Sequence, residues 1–342
     1  YAYFSSYSDS WVEHARRFTE MARERFGLDA ASQVIEVASN DGYLLKHFVA
    51  AGVPALGIEP AENVVETARK IGVPTEARFF GQDTARDLVA RGLAADMVIG
   101  NNVLAHVPDI NDFVAGFAVL LKPLGVATFE FPHLLKLIAE NQFDTIYHEH
   151  FSYLSLTAVN RIFAANGLSV FDVEEHLTHG GSLRVFAQRS DTGQQARSAR
   201  VDKLLHREAQ AGMLSADYYT GFQAKTDKVK NDFFAFLLEA KRQGKTVAAY
   251  GAAAKGNTLM NYAGIRPDLI LFVVDRNPAK QGKTMPGSHI PIVDEIRLQQ
   301  EKPDYVVILP WNLKAEVMLQ LEYVRDWGGR FVTAVPVLRI AP

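Results

Sequence analysis

Cysteine is missing altogether from the 342 residues, which excludes disulfides and thiolate-held metal. Neither an apolar run long enough to span a bilayer nor an opening secretory signal is present, so the cytoplasm is the expected compartment and no membrane partner is expected. Positive charge is not in excess: 36 Lys and Arg face 39 Asp and Glu, a net charge of −3, which argues against nonspecific binding to nucleic acid. The chain has no G-x-G-x-x-G, no Walker A and no H-E-x-x-H, so three common routes to dinucleotide, nucleoside triphosphate and zinc are not written in it. It opens on Tyr1 rather than methionine, which points to a piece of a longer chain.

What is present is an ordinary globular composition, 48% hydrophobic and 22% charged, in a chain longer than one core usually grows. Two domains are therefore expected. The densest chemistry lies in TIYHEHFSYLSL, Thr145 to Leu156, where Tyr147, His148, Glu149, His150 and Tyr153 fall close together. Histidine takes and returns protons near neutral pH, and a neighbouring carboxylate can hold its tautomer. Two other readings stand beside general acid–base catalysis. The histidines and the glutamate could ligate zinc, although residues two apart point poorly together on a strand or a helix. The stretch could also be a polar loop closing a sheet.

In chain order, a helix is predicted after the tyrosines Tyr1, Tyr3 and Tyr7, capped near Ser8 or Ser10, with Trp11, Ala15, Phe18 and Ala22 on one face. A buried strand (Val34, Ile35, Val37) then ends in the turn Ser39-Asn40-Asp41-Gly42 and a helix with Leu44, Leu45 and Phe48. A second strand ends on Glu59-Pro60. An acid at that tip is placed to accept both ribose hydroxyls, implying an adenosine-containing ligand. Glu36 and Asp41 would repel a pyrophosphate and suit a ligand of positive character, such as S-adenosylmethionine. A further strand runs into Asn101-Asn102, expected along the cofactor, with His106 beyond. A helix and the turn Lys122-Pro123-Leu124-Gly125 lead to the next strand. That sequence of elements is like the fourth and fifth strands of class I methyltransferases.

Strands follow at LSVFDVEEH and GGSLRVFAQRS, and then a largely polar helical stretch. The final hundred residues start again: a strand from Val247 to Tyr250, the small-residue loop Gly251 to Gly256, and a helix opening near Asn257-Thr258. Lys255 serves as a cation in what reads as a phosphate cradle. Later strands end on Asp275 and at Trp311-Asn312. The expected organisation is an arm at 1–30, a cofactor domain at 31–190, a helical connector at 191–243 and a second Rossmann-like α/β domain at 244–342.

Several blocks together, E-V-A-S-N-D-G-Y-L-L, N-N-V-L-A-H-V-P-D, Y-H-E-H-F-S-Y-L-S, H-G-G-S-L-R-V-F, Y-G-A-A-A-K-G-N-T and I-L-P-W-N, resemble S-adenosylmethionine-dependent C-methyltransferases of nucleotide-linked keto-deoxysugars. The resemblance covers nearly the whole chain, and Y-H-E-H-F-S-Y is its most specific part. It implies a class I methyltransferase domain holding the cofactor, a second Rossmann-like domain holding a nucleotide-linked keto-sugar, and the sugar between them. It implies a 4-keto sugar deprotonated at C-3, whose enediolate takes the methyl group. By that match His150 is the general base, Tyr147 and Glu149 orient it or bind the sugar, and His106 lies near the keto oxygen. Tyr1 or Tyr3 would reach the sugar. Tyr153, Gly251, Lys255, Gly256, Asn257, Thr258, Asp275, Trp311 and Asn312 complete the substrate set. The family usually begins with a cysteine-rich zinc-binding module, which this sequence does not contain. A methyltransferase acting on oxygen or nitrogen of a similar metabolite is the alternative, since such an enzyme needs no carbon acid.

Overall fold

The computed structural model describes residues 4–342. The expected substrate contacts Tyr1 and Tyr3 lie outside the described residues. The chain divides into two compact units. The first takes the chain up to Leu134 with Glu149–Leu177 and Gly181–Ala211. The second takes Leu135–His148, Thr178–Gly180 and Gly212–Pro342.

The first unit is built on a sheet of seven strands: β1 (Val34–Val37), β2 (Ala55–Ile58), β3 (Thr75–Glu76), β4 (Ala95–Asn101), β5 (Leu121–Pro132), β6 (Leu168–His176) and β7 (Ser182–Arg189). Their order is β3-β2-β1-β4-β5-β7-β6. Neighbours are parallel except where β7 runs antiparallel to both β5 and β6. Every residue of β1 and β2 is buried, because helices cover both faces, as a parallel sheet requires. On one face Phe113 and Phe117 from the helix Ile110–Leu120 and Phe163 from the helix Leu156–Ala165 meet Phe129 and Phe131 of β5. On the other, Trp11, Ala15, Phe18 and Ala22 of the helix Asp9–Phe26 join Leu44, Leu45 and Phe48 against Val34, Met97 and Ile99. Ser8 caps that first helix, its Oγ accepting from the Trp11 N–H at 3.3 Å. The predicted turn Lys122-Pro123-Leu124-Gly125 lies inside β5. Leu121 already pairs with Ala95, and the register slips between Ala95 and Met97, beside a proline that has no N–H to give to a ladder.

The second unit carries β8 (Val247–Tyr250), β9 (Val273–Val274), β10 (Ile292–Val293), β11 (Tyr305–Ile308), β12 (Arg330–Thr333) and β13 (Arg339–Ala341). The order is β10-β9-β8-β11-β12-β13, parallel except at β12 and β13. Residues 191–243 divide between the units. The helix Ala199–Gln210 packs Val201 and Leu204 into the first core, and the helix Phe222–Arg242 packs Val229, Phe233 and Leu237 into the second.

In both sheets the strand order turns from descending to ascending at one place, between β1 and β4 and between β8 and β11. Crevices at the carboxyl ends of strands beside such a reversal are where open α/β sheets bind ligands. No helix among the described residues is long and apolar enough to cross a membrane.

Candidate active site

At the first reversal the backbone is bent hard. Ala38, Asn40 and Asn102 have φ of 56°, 50° and 52°, and Gly42 has 79°. Non-glycine residues in that region cost about 1–3 kcal/mol each, and such strain gathers at functional sites. The bends are held by hydrogen bonds. The Ala38 N–H reaches the Ile58 carbonyl at 2.7 Å, and the Asn102 N–H reaches that of Glu130 at 2.6 Å. The Glu59 carboxylate accepts from the Asn40 and Ala61 N–H groups at 3.1 and 3.0 Å, fixing the tip of β2 on the turn after β1, and Pro60 stands exposed between them.

Around these bends polar atoms are buried without partners among the described residues: Glu36 Oε2, Ser39 Oγ, Asp41 Oδ1, Asn101 Oδ1 and Asn102 Nδ2. Burial pushes the Glu36 carboxyl well above its ordinary range, and the charges of Asp41 and Glu59 add to the shift. Burial also raises Glu59, against the pull of its two N–H donors. Three carboxyls converging on one turn call for a cation. A sulfonium that also bears an ammonium and a ribose meets that demand: acceptors at Glu36 and Asp41 for the ammonium, and the Glu59 carboxylate for ribose hydroxyls. The residues present thus fit S-adenosylmethionine. The arm reaches the same turn, with the Ser5 N–H donating to Asn40 Oδ1 at 2.9 Å and the Ser6 N–H to Asp41 Oδ2 at 3.1 Å.

His106 ends a single 3-10 turn, Leu104–His106, just past β4. The Ala105 carbonyl accepts from the N–H groups of Phe151 and Ser152 at 2.8 and 3.2 Å. That clamp brings His150 to His106, ring centroids 4.8 Å apart and nearly perpendicular. Tyr153 stands edge-on to His150 at 5.9 Å. Burial, reinforced by His150, lowers the His106 pKa to about 4, so its imidazole is neutral at pH 7. His148 and Glu149 are exposed and Tyr147 is half-buried. His148 ends a stretch of the second unit, and Glu149 begins one of the first. Among the described residues no three His, Asp or Glu side chains gather as a metal site.

The far end of this segment is anchored by residues that sequence reasoning missed. The Leu134 N–H donates to the Leu154 carbonyl at 2.9 Å. The buried Glu208 carboxylate accepts from the Leu156 and Thr157 N–H groups, both at 2.8 Å, and lies 2.7 Å from His133 Nε2. A carboxylate on the first N–H groups of a helix satisfies donors that have no partner within it. Ser155 adds the usual cap, its Oγ accepting from the Ala158 N–H at 3.1 Å.

At the second reversal the chemistry is different. Gly251 has φ 93°, and a Cβ there would stand 2.5 Å from Pro310 Cδ. Asp275 serves its own turn, accepting from the Ala252 and Asn277 N–H groups at 2.8 and 2.9 Å and pairing with Lys280 at 3.2 Å. In the helix Ala254–Tyr262, Gly256 is buried, Asn257 leaves Oδ1 without a partner among the described residues, and Thr258 returns its hydroxyl to the Ala254 carbonyl. Lys255 donates to Asn312 Oδ1 at 2.8 Å and lies 4.9 Å from the Trp311 ring centre. The Trp311 indole N–H donates to buried Asp144 Oδ2 at 2.7 Å. Lys255, Trp311 and Asn312, each expected as a substrate contact, meet in one cluster, with Asp144 as an unforeseen fourth member.

Residues 11–173 match the family described as a methyltransferase domain, and residues 177–336 the C-methyltransferase C-terminal domain. C-methyltransferase NovU of Streptomyces niveus is 36% identical over 340 residues, 99% of this chain and 81% of that protein. A ubiquinone biosynthesis O-methyltransferase of Bartonella bacilliformis is 26% identical over 98 residues, 28% of this chain and 40% of its own. Among solved structures, magnesium protoporphyrin IX methyltransferase from Synechocystis PCC 6803 with bound SAM superimposes with a TM-score of 0.40 at 15% identity. It covers 52% of this chain and 79% of that one. The PH0226 protein from Pyrococcus horikoshii OT3 gives 0.44 at 13%, covering 55% and 95%. Both halves of the chain thus match the same kind of enzyme, and a relative aligned over 99% of this chain joins them: the chain belongs to the C-methyltransferase family and is an S-adenosylmethionine-dependent methyltransferase.

Proposed function

We propose that the enzyme methylates a carbon, C-3, of a nucleotide-linked 4-keto-deoxysugar, with His150 as the base that removes the proton from that carbon. The observation that carries this reading is the apposition of His150 and His106, 4.8 Å between rings, clamped through the Ala105 carbonyl. A C–H beside a ketone gives up its proton only if a base receives it and a donor meets the oxygen on which charge develops. His150 is the receiver. His106, kept neutral by burial, can offer an N–H to that oxygen without itself being an acid at pH 7. Tyr153 stands edge-on to His150 and would line the sugar site beside it. Tyr147 and Glu149 are the neighbouring groups for the sugar.

S-adenosylmethionine supplies an electrophilic methyl group when bound. Glu36, Ser39, Asp41, Glu59, Asn101 and Asn102 would hold it, their buried atoms supplying the hydrogen-bond partners it needs. The second unit would hold the nucleotide, with Lys255, Trp311 and Asn312 as its polar contacts.

The test is hydrogen exchange. Incubated with the keto-sugar nucleotide and S-adenosylhomocysteine in deuterium oxide, the enzyme should wash deuterium into the carbon beside the ketone. His150→Asn should abolish both exchange and methylation while leaving S-adenosylhomocysteine affinity within twofold. Exchange that survives in His150→Asn overturns the assignment of the base. Methyl found on oxygen in the product overturns the reaction.

A further inference from the structure

Asp144 has no place in the chemistry above, yet it is fully buried in the second unit. It sits in the single 3-10 turn Phe143–Thr145, and Phe143 beside it is part of the unit's core. One oxygen takes the Trp311 indole N–H at 2.7 Å, and the other has no hydrogen-bond partner among the described residues. Lys255 lies against the same indole and reaches Asn312. The two charges feel each other across Trp311. Burial pushes the Asp144 carboxyl up to about 6, further than Lys255 and the indole N–H pull it down. Burial likewise lowers Lys255, which Asp144 offsets. A lysine buried without a counter-charge is costly. A lysine with a permanent, tight counter-charge would be a poor anion receptor.

We propose that Asp144 is an internal counter-charge for Lys255, holding the ammonium against Trp311 and Asn312 and competing with the anionic group of a nucleoside diphosphate for it. This rests on the reading of the second unit as the nucleotide site and adds a positioning residue to it. Asp144 touches no ligand; it acts through Lys255, and it sets how strongly an anion must bind to take the lysine over. The arrangement favours ligands bearing several negative charges and disfavours the neutral nucleoside, whose binding gains nothing from Lys255.

Calorimetric titration of four proteins decides it: the wild type, Asp144→Asn, Lys255→Met and the double variant, each with nucleoside diphosphates and with the corresponding nucleosides at pH 7. Asparagine keeps an acceptor for the indole N–H, and the melting temperature of each variant reports folding. Removing one buried negative charge near the lysine should tighten diphosphate binding roughly five- to tenfold. Nucleoside binding should stay unchanged, and the gain should vanish on the Lys255→Met background. Diphosphate binding by Asp144→Asn that equals or falls below the wild type, or a gain that persists without Lys255, overturns the inference alone. Failure of all four proteins to bind any nucleoside diphosphate overturns the nucleotide reading of the unit and the inference with it.

Discussion

The two sheets solve one topological problem with opposite charges. Each turns its strand order from descending to ascending beside its first strand and leaves a turn there, Ser39-Asn40-Asp41-Gly42 after β1 and Gly251 to Gly256 after β8. The first turn is walled by Glu36, Asp41 and Glu59, with carboxyls pushed upward at Glu36 and Glu59. The second presents Lys255, with Asp144 behind Trp311, and turns Asp275 to the backbone and Lys280. The turn in strand order is shared by both, and on the proposed reading a handful of side chains decides whether the crevice takes a cation or an anion.

The sharpest way to break the comparison is steric. At Gly251 the backbone is left-handed and a Cβ would meet Pro310 at 2.5 Å, a ring that cannot swing aside. Gly251→Ala should therefore destabilise by about 3 kcal/mol or more, strain and overlap together. At Gly42, also left-handed, the nearest atom is a Val73 methyl at 3.0 Å, which can give way, so Gly42→Ala should cost about 1–2 kcal/mol. Chemical denaturation checks both, and equal costs would show that the two turns are constrained alike. Next in size is charge. Asp41→Lys should weaken S-adenosylhomocysteine binding on the order of 100-fold and leave nucleoside diphosphate binding unchanged, since on the proposed placement one cation replaces an acid facing the ammonium. Lys255→Glu should do the reverse. If either substitution weakens both ligands equally, the electrostatic division between the turns is wrong.

Much of this was legible because it is local. Strand, turn and helix follow from runs such as Val34–Val37 and from the polar turn after them. The apolar spacing of Trp11, Ala15, Phe18 and Ala22 gave a helix whose face is buried as predicted. The block from Tyr147 to Tyr153 announced itself by density. What stayed hidden is what depends on distant pairs. Glu130 sits in the apolar-looking run TFEFP and takes its meaning from distant partners such as His14 at 2.9 Å and Arg184 at 2.7 Å, more than a hundred and about fifty residues away. Although burial opposes ionisation, those two partners, with the charge of His176, hold its pKa at about 2. Glu208 lies on a helix that looked like polar connector until its carboxylate met the N–H groups of Leu156 and Thr157. Asp144 reads as an ordinary loop acid. No spacing rule links residue 144 to residues 255 and 311.

The smallest effect separates the two regions by pH. His106, in the first unit, has a folded-state pKa lowered from 6.5 to about 4 by burial and by facing His150. Between those values the unfolded chain binds the proton and the folded one refuses it. Its contribution to stability is therefore present above about pH 6.5 and is lost as pH falls through 4. Asp144, in the second unit, is shifted the other way, from 3.8 to about 6, by burial that outweighs Lys255 and the Trp311 N–H. Between those values the folded chain holds the proton. Its contribution is present below about pH 3.8 and is lost as pH rises through 6. Both should amount to about 1–2 kcal/mol, read as the stability of the wild type minus that of a variant unable to titrate. From pH 4 to 6 that difference should climb for His106→Gln and fall for Asp144→Asn. Urea denaturation at a series of pH values measures both slopes, and slopes of the same sign would mean that at least one of these groups is solvated rather than buried.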